Sequence, residues 1–253
     1  VHPRLFQLGD VAIPASGVFT AIAILTALFF SRATARRLSL DAERVWDAGI
    51  AGVLTALIGP RLVLIFTNWS DFRAHPVWML GLVGVHSPVA IAVGLALAVA
   101  VTLAFLRFAG LPVRRSLDAF APGVALGLGI YWIGAYLAGS HFGTPTTLPW
   151  AVTYTSRLAS LWSHTPLGTP LQPVQLYFAL IALGLFALLL WMVRSRERPS
   201  LRDGEAMGAF LFVYGFCSFF LNFLRGDLDS SRLLLPEVLA AAMVLTGGLL
   251  WLL

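Results

Sequence analysis

Lysine is absent from this 253-residue chain, cysteine occurs once, and acidic side chains number only 12. Each scarcity excludes something. A lone cysteine, Cys217, cannot form an intramolecular disulfide and implies no metal cluster; in its apolar run it reads as a small buried hydrophobe. A charged fraction of 11% is too small to cover the surface of a water-soluble domain this size. The first apolar run has its basic cluster behind it and no small-residue cleavage site, so it reads as a span and not as a signal peptide. Internal repeats and low-complexity segments are missing too. Although the net charge is +5, the 17 arginines are not gathered on one face among aromatics, which argues against a nucleic-acid partner.

What is present is apolar length. Hydrophobic residues make up 58% of the chain and the mean hydropathy is +0.85. A hydrocarbon core about 30 Å thick needs about 20 apolar residues per helix. Seven such segments can be read, at 13–31, 48–67, 88–106, 118–138, 174–193, 205–224 and 236–253. The expected fold is an all-α polytopic integral membrane protein of about seven transmembrane helices, forming one membrane-embedded domain over residues 1–253. A shorter run, 77–85, contains Gly81 and Gly84 and reads as interfacial or re-entrant.

The arginines set a direction. Arg32, Arg36, Arg37, Arg44, Arg107, Arg114, Arg115, Arg194, Arg196, Arg198 and Arg202 flank one side, against Arg4, Arg73, Arg157, Arg225 and Arg232 on the other. Positive charge collects in the cytoplasm, which predicts an outside N-terminus and a cytoplasmic C-terminus. Residues 139–172 then form an extracytoplasmic loop region, long enough to be functional or structured, with Trp150 and Trp162 suited to the headgroup level. Gly123 and Gly127 form a small-xxx-small face suited to close helix packing.

Ionisable and polar groups at membrane depth are costly and mark candidate sites. They are Arg61, His86, Asn222, Arg225, Asp227, Gln175 and Tyr177. Arg61 follows Pro60 inside the second span; it either snorkels or pairs for packing, or holds an anionic headgroup with a fork that matches phosphate. His86 either caps a helix start or acts as a proton acceptor for a thiol or hydroxyl. Arg225-Gly226-Asp227 closes the sixth span, either as an interfacial ion pair or as a second phosphate ligand. His141 and His164 lie in the outer loop and read as exposed; His2 and His75 carry less information.

These residues fall in a familiar order. His2-Pro3-Arg4-Leu5-Phe6-Gln7-Leu8-Gly9, Ile58-Gly59-Pro60-Arg61, Asn68-Trp69 and Asp118-Ala119-Phe120-Ala121-Pro122-Gly123 are followed by Gly143-Thr144-Pro145-Thr146 and Leu148-Pro149-Trp150. Then come Pro173-Val174-Gln175-Leu176-Tyr177, Tyr214-Gly215 and Phe223-Leu224-Arg225-Gly226-Asp227. Over nearly its whole length the chain resembles the prolipoprotein diacylglyceryl transferases of bacteria. The resemblance implies a seven-helix plasma (inner) membrane enzyme that moves diacylglyceryl from phosphatidylglycerol to the lipobox cysteine thiol of a prolipoprotein precursor. It implies no metal or other cofactor. His86 falls on the family's catalytic-motif histidine and Arg225 on the arginine after the sixth span. Arg61 and Tyr177 match retained positions, and Gln175 and Asp227 join them as candidates for phospholipid binding.

The chain also departs from the family pattern. Trp132 stands where the signature arginine belongs, and Ala135 and Ala138 where amides belong. Ser87 and Pro88 replace two glycines after the histidine, Gln172 and Phe178 replace a histidine and a glutamate, and Ser218 and Asn222 replace an arginine and a glutamate. Two functional readings follow: a divergent transferase, or a catalytically inactive paralogue that binds phospholipid or precursor without transfer. An unrelated carrier would call for discontinuous helices repeated in two halves, and the sequence has no such pattern.

Overall fold

Among the described residues, seven helices are long and apolar enough to cross a membrane, and their packing explains where the polar groups end up. The computed structural model describes residues 3–8, 11–74, 87–194, 202–228 and 230–252. A short antiparallel hairpin, β1 (Arg4–Leu8) and β2 (Val11–Pro14), leads into α1 (Ala15–Arg37). Next come α2 (Ala42–Thr67), a short α3 (Trp69–Ala74), α4 (Pro88–Phe108) and α5 (Val113–Ala138). The connection that follows carries β3 (Val152–Thr153), α6 (Arg157–Ser163) and β4 (Pro170–Leu171). The chain ends with α7 (Val174–Arg194), α8 (Glu205–Asn222) and α9 (Ser230–Leu252). The expected loop at 139–172 is therefore a structured cap. The re-entrant segment at 77–85 and His86 lie outside the described residues.

Helix α5 is the axis of the bundle. It packs on α1 along one face and on α7 and α8 along another, while α2 with α4 and α8 with α9 form flanking pairs. Gly123 and Gly127 make the α1 contact possible: a Cβ at Gly123 would lie 2.5 Å from the Ala27 carbonyl oxygen, and one at Gly127 2.8 Å from that of Ala23. The outward faces are apolar, with Phe29, Leu57, Leu180, Trp191 and Leu245 exposed as lipid-facing side chains should be. Hydroxyls in the spans satisfy themselves locally: Thr20, Ser31, Thr34, Thr55 and Thr102 each donate to the carbonyl four residues back.

Helix ends differ from the apolar runs for identifiable reasons. Asp41 accepts the backbone N–H groups of Glu43 and Arg44 at 3.1 and 3.2 Å, so α2 begins at Ala42, six residues ahead of the expected 48. Helix α1 runs on through Arg36 and Arg37, which suit the negative end of its dipole. Helix α8 stops at Asn222, two residues short of the expected 224, and leaves 223–228 free to leave the bundle axis. Asp118, fully buried on α5, accepts the N–H of Gly204 at 2.7 Å and of Met207 at 2.9 Å, so it caps the start of α8 across 86 and 89 residues of sequence. That bond aligns α5 and α8 in parallel and carries both C-terminal ends to the same side.

Candidate active site at the capped end of the bundle

The site is assembled by backbone pairing beyond α5 and α8. Helix α5 terminates at Gly139, whose φ of +79° is the left-handed cap that glycine adopts without strain. The chain then passes through His141, also left-handed at φ +55°, into an extended strip. That strip is flanked on both sides. Thr144 N–H donates to Leu224 O at 2.8 Å and Gly226 N–H to Phe142 O at 2.8 Å, while Gln172 N–H donates to Thr144 O at 3.0 Å. The bridges Gly143–Arg225 and Pro145–Leu171 follow from these bonds. Residues 141, 225 and 227 thereby meet, although the sequence separates them widely.

Their side chains form one polar cluster. Arg225 grips Asp227 with two donors, Nε to Oδ1 at 3.0 Å and Nη2 to Oδ2 at 2.7 Å. The Nδ1 atom of His141 lies 2.9 Å from Arg225 Nη2 and 3.1 Å from Asp227 Oδ2. Its Nε2 lies 2.9 Å from the Tyr131 hydroxyl of α5. The side chains of Arg225, Asp227 and His141 are 12%, 20% and 33% exposed, so the cluster is mostly dry yet reachable. Burial pushes the Asp227 carboxyl up, but hydrogen bonds from His141 and Arg225, with their charges, hold it well below the usual carboxylate range. His141 is therefore not the exposed loop residue the sequence suggested. Packing under the strip encloses it.

Beneath the cluster sits an aromatic stack. Trp132 is buried, lies parallel to Phe178 with centroids 4.2 Å apart, and donates its indole N–H to the Tyr214 hydroxyl at 2.8 Å. Its edge also meets the His141 ring, 5.6 Å between centroids. Ala135, one turn on, is buried with no polar group to offer. Tryptophan brings a single N–H and no charge, so an anion gains nothing from this position beyond its edge.

The remaining candidates are distributed around this centre. Gln175 is fully buried and donates from Nε2 to Ser140 O at 2.7 Å and to the Tyr154 hydroxyl at 3.3 Å, which holds the residue before His141 in place. Tyr177, two residues on, accepts the Trp150 indole N–H at 2.7 Å near the surface. Arg61 sits on α2 with its guanidinium 5.7 Å over the Phe72 ring of α3, on the α2–α4 flank of the bundle. Among the described residues, no group of three or more His, Cys, Asp or Glu side chains could hold a metal ion. An apolar cavity of about 320 Å³ between α1, α2, α4, α5 and the start of α8, lined by Leu28, Gly52, Leu95, Phe120 and Met207, has no ionisable lining residue among the described residues.

Comparison with known proteins gives this arrangement its setting. The model of the family "prolipoprotein diacylglyceryl transferase" matches residues 3–253. The chain belongs to that family. Among its relatives, a phosphatidylglycerol–prolipoprotein diacylglyceryl transferase of Clostridium tetani is 26% identical over 227 residues, covering 90% of this chain and 86% of the relative. Proteins of the same description from Synechococcus elongatus and Aliivibrio salmonicida are 28% and 29% identical, each covering 86% of the relative and 98% and 99% of this chain. This diacylglyceryl transferase family member is thus a multi-pass membrane protein whose polar cluster draws on motifs quoted from the sequence, Gly143–Thr146 and Leu224–Asp227. Tyr131 and His141 were not singled out as site residues. Their only signal was flanking position, Tyr131 before the altered signature tryptophan and His141 two residues before the Gly-Thr-Pro-Thr strip.

Proposed function

We propose that this family member is a phosphatidylglycerol–prolipoprotein diacylglyceryl transferase of the bacterial inner membrane, oriented with its N-terminus and the 139–172 cap outside and its C-terminus in the cytoplasm. The observation that carries this reading is Arg225, held by Asp227 at the capped end of the bundle beside an imidazole. The reaction needs a thiolate, a cation on the phosphate and a site that excludes water. Asp227 takes the Nε and Nη2 edge of Arg225, which fixes the guanidinium as the cation that would meet a phosphate oxygen. The precursor sulfur attacks the glyceride carbon, the carbon–oxygen bond to phosphate breaks, and glycerol phosphate leaves with the bonding pair. His86 and Arg225 are the proposed catalytic residues. Arg61 and Tyr177 make up the phospholipid-binding set together with Gln175 and Asp227, and these last two act through the neighbours they hold.

A second reading has its own observation. The stack of Trp132 on Phe178, with Tyr214 hydrogen-bonded to the indole, fills the place of the signature arginine with aromatic rings, as in a protein that binds phospholipid or precursor without transferring. Complementation of a strain depleted of its own transferase, with precursor modification followed by mass shift, separates the two. Rescue and a diacylglyceryl mass shift are expected. Arg225→Lys keeps the charge but loses the planar fork, and should lower the transfer rate about a hundred- to a thousandfold. An inserted, stable protein that neither rescues nor modifies precursor would leave the binding reading in its place.

A further inference from the structure

The transferase reading leaves open which group receives the thiol proton, and the cluster around His141 bears on it directly. The His141 ring is engaged at both nitrogens: Nε2 by the Tyr131 hydroxyl at 2.9 Å, Nδ1 by Arg225 Nη2 at 2.9 Å and Asp227 Oδ2 at 3.1 Å. Nδ1 can donate to Asp227 or accept from Arg225, but one nitrogen of a ring cannot do both at once. When it donates to Asp227, the lone pair is on Nε2 and the Tyr131 O–H donates to it. The Tyr131 oxygen then presents its own lone pairs as a proton acceptor. When the ring is protonated, Asp227 faces the new charge as an ionised carboxylate, and the Tyr131 oxygen accepts from Nε2–H, which frees its own O–H to donate elsewhere. His141 also adopts φ +55°, in the left-handed region that non-glycine residues rarely occupy.

We propose that His141, reached through the Tyr131 hydroxyl and oriented by Asp227, is the acceptor of the substrate thiol's proton. The inference rests on the transferase reading. In one step the thiol proton passes to the Tyr131 oxygen while the Tyr131 proton moves to Nε2 of His141. The sulfur's freed electron pair forms the carbon–sulfur bond to the glyceride, and the carbon–oxygen bond breaks with its pair on the phosphate. The imidazolium proton then returns through Tyr131 to the departing phosphate, so the net change is one thiol and one phosphodiester converted to one thioether and one phosphomonoester. Among the described residues, the charged and titratable groups facing the ring are Tyr131 from α5 and Arg225 and Asp227 from the segment after α8.

The test uses the full-length protein reconstituted in vesicles containing phosphatidylglycerol, with a lipobox peptide as acceptor and mass shift as readout. His141→Ala, His141→Gln, Tyr131→Phe and His86→Gln are compared at matched insertion and thermal stability. His141→Ala should lose about a hundred- to ten-thousandfold in transfer rate, the usual contribution of a positioned base. Added imidazole should restore part of that loss. The acid limb of the wild-type rate profile should be missing from the residual activity of His141→Gln. Tyr131→Phe should fall in the same range without imidazole rescue. Wild-type rates in both His141 variants would overturn the proposal while leaving the transferase reading intact. A stable His141→Ala that is inactive but not rescued, with the acid limb retained in His141→Gln, would also overturn it and make the ring structural. Imidazole rescue at His86 and not at His141 would assign the proton to His86 instead. A wild type that transfers nothing would remove the transferase reading and this inference together.

Discussion

Asp227 has two partners that each lower the cost of its charge, and this sets how the site responds to acid. Burial raises the carboxyl, and hydrogen bonds and charge from His141 and Arg225 more than offset it, so the folded value lies below the unfolded one. For a depressed carboxylate the stabilisation is complete above the ordinary range near about 3.9 and is lost as pH falls through that range toward the folded value. Thermal unfolding in detergent should therefore show a wild-type melting temperature that drops below about pH 4, whereas Asp227→Asn melts lower at neutral pH and shows a smaller acid drop. An unchanged acid drop in the variant would place the sensitivity elsewhere. The Trp132–Phe178 stack makes a second point at this scale. By the sequence resemblance both residues stand where the family pattern carries charge, and they lie face to face at 4.2 Å. A pair of rings needs no neutralisation by a partner charge. Restoring the arginine alone should thus do harm. Trp132→Arg would aim an unpaired cation at Phe178, a change that costs about 3–5 kcal/mol when one member of a buried pair is missing. Adding Phe178→Glu should recover part of the lost melting temperature, and additive losses in the double variant would disprove the pairing.

Elements are positioned by a few cross-chain bonds, and these were the least visible in the sequence. Asp118 opens the Asp-Ala-Phe-Ala-Pro-Gly motif, yet its partners Gly204 and Met207 stand 86 and 89 residues away. No periodicity reports such a bond. The same applies to His141, whose contacts with Arg225 and Asp227 span 84 and 86 residues. In contrast, the seven spans were legible because each needs only its own apolar content, and the Gly123–Gly127 face because small residues four apart have few other uses in a membrane. Span ends were read inward of the true helix ends at α1 and α2, since hydropathy stops at the first charge while arginine continues a helix well. Asp118→Ala should expose how much the cap matters. It removes the acceptor for two buried N–H groups at the start of α8, an N-cap loss of about 0.5–2 kcal/mol made worse by burial. The expected result is a lower melting temperature with faster amide exchange at Gly204 and Met207. Exchange that rises equally in α1 would argue against a local role for the bond.

At the scale of the whole molecule, an odd number of crossings puts the two termini on opposite sides, and the arginine count supplies the sign. Among the described residues, nine arginines follow α1, α4 and α7, or precede the helices after them, at the end away from the cap. The cap end carries the hairpin, the 139–172 connection and the Arg225–His141 cluster. An outward cap would present the cluster to a precursor that has already been exported. The opposite orientation would hide it from that substrate. Orientation is therefore a test of function as well as of topology. In a Cys217→Ala background, Leu167→Cys on the exposed cap and Ser39→Cys in the turn between α1 and α2 give one reporter at each end. A membrane-impermeant maleimide should label Leu167→Cys in intact spheroplasts and Ser39→Cys only after permeabilisation. If the pattern is reversed, the guanidinium and imidazole face the cytoplasm, no exported thiol can reach Tyr131, and the transferase reading fails however well the cluster is formed.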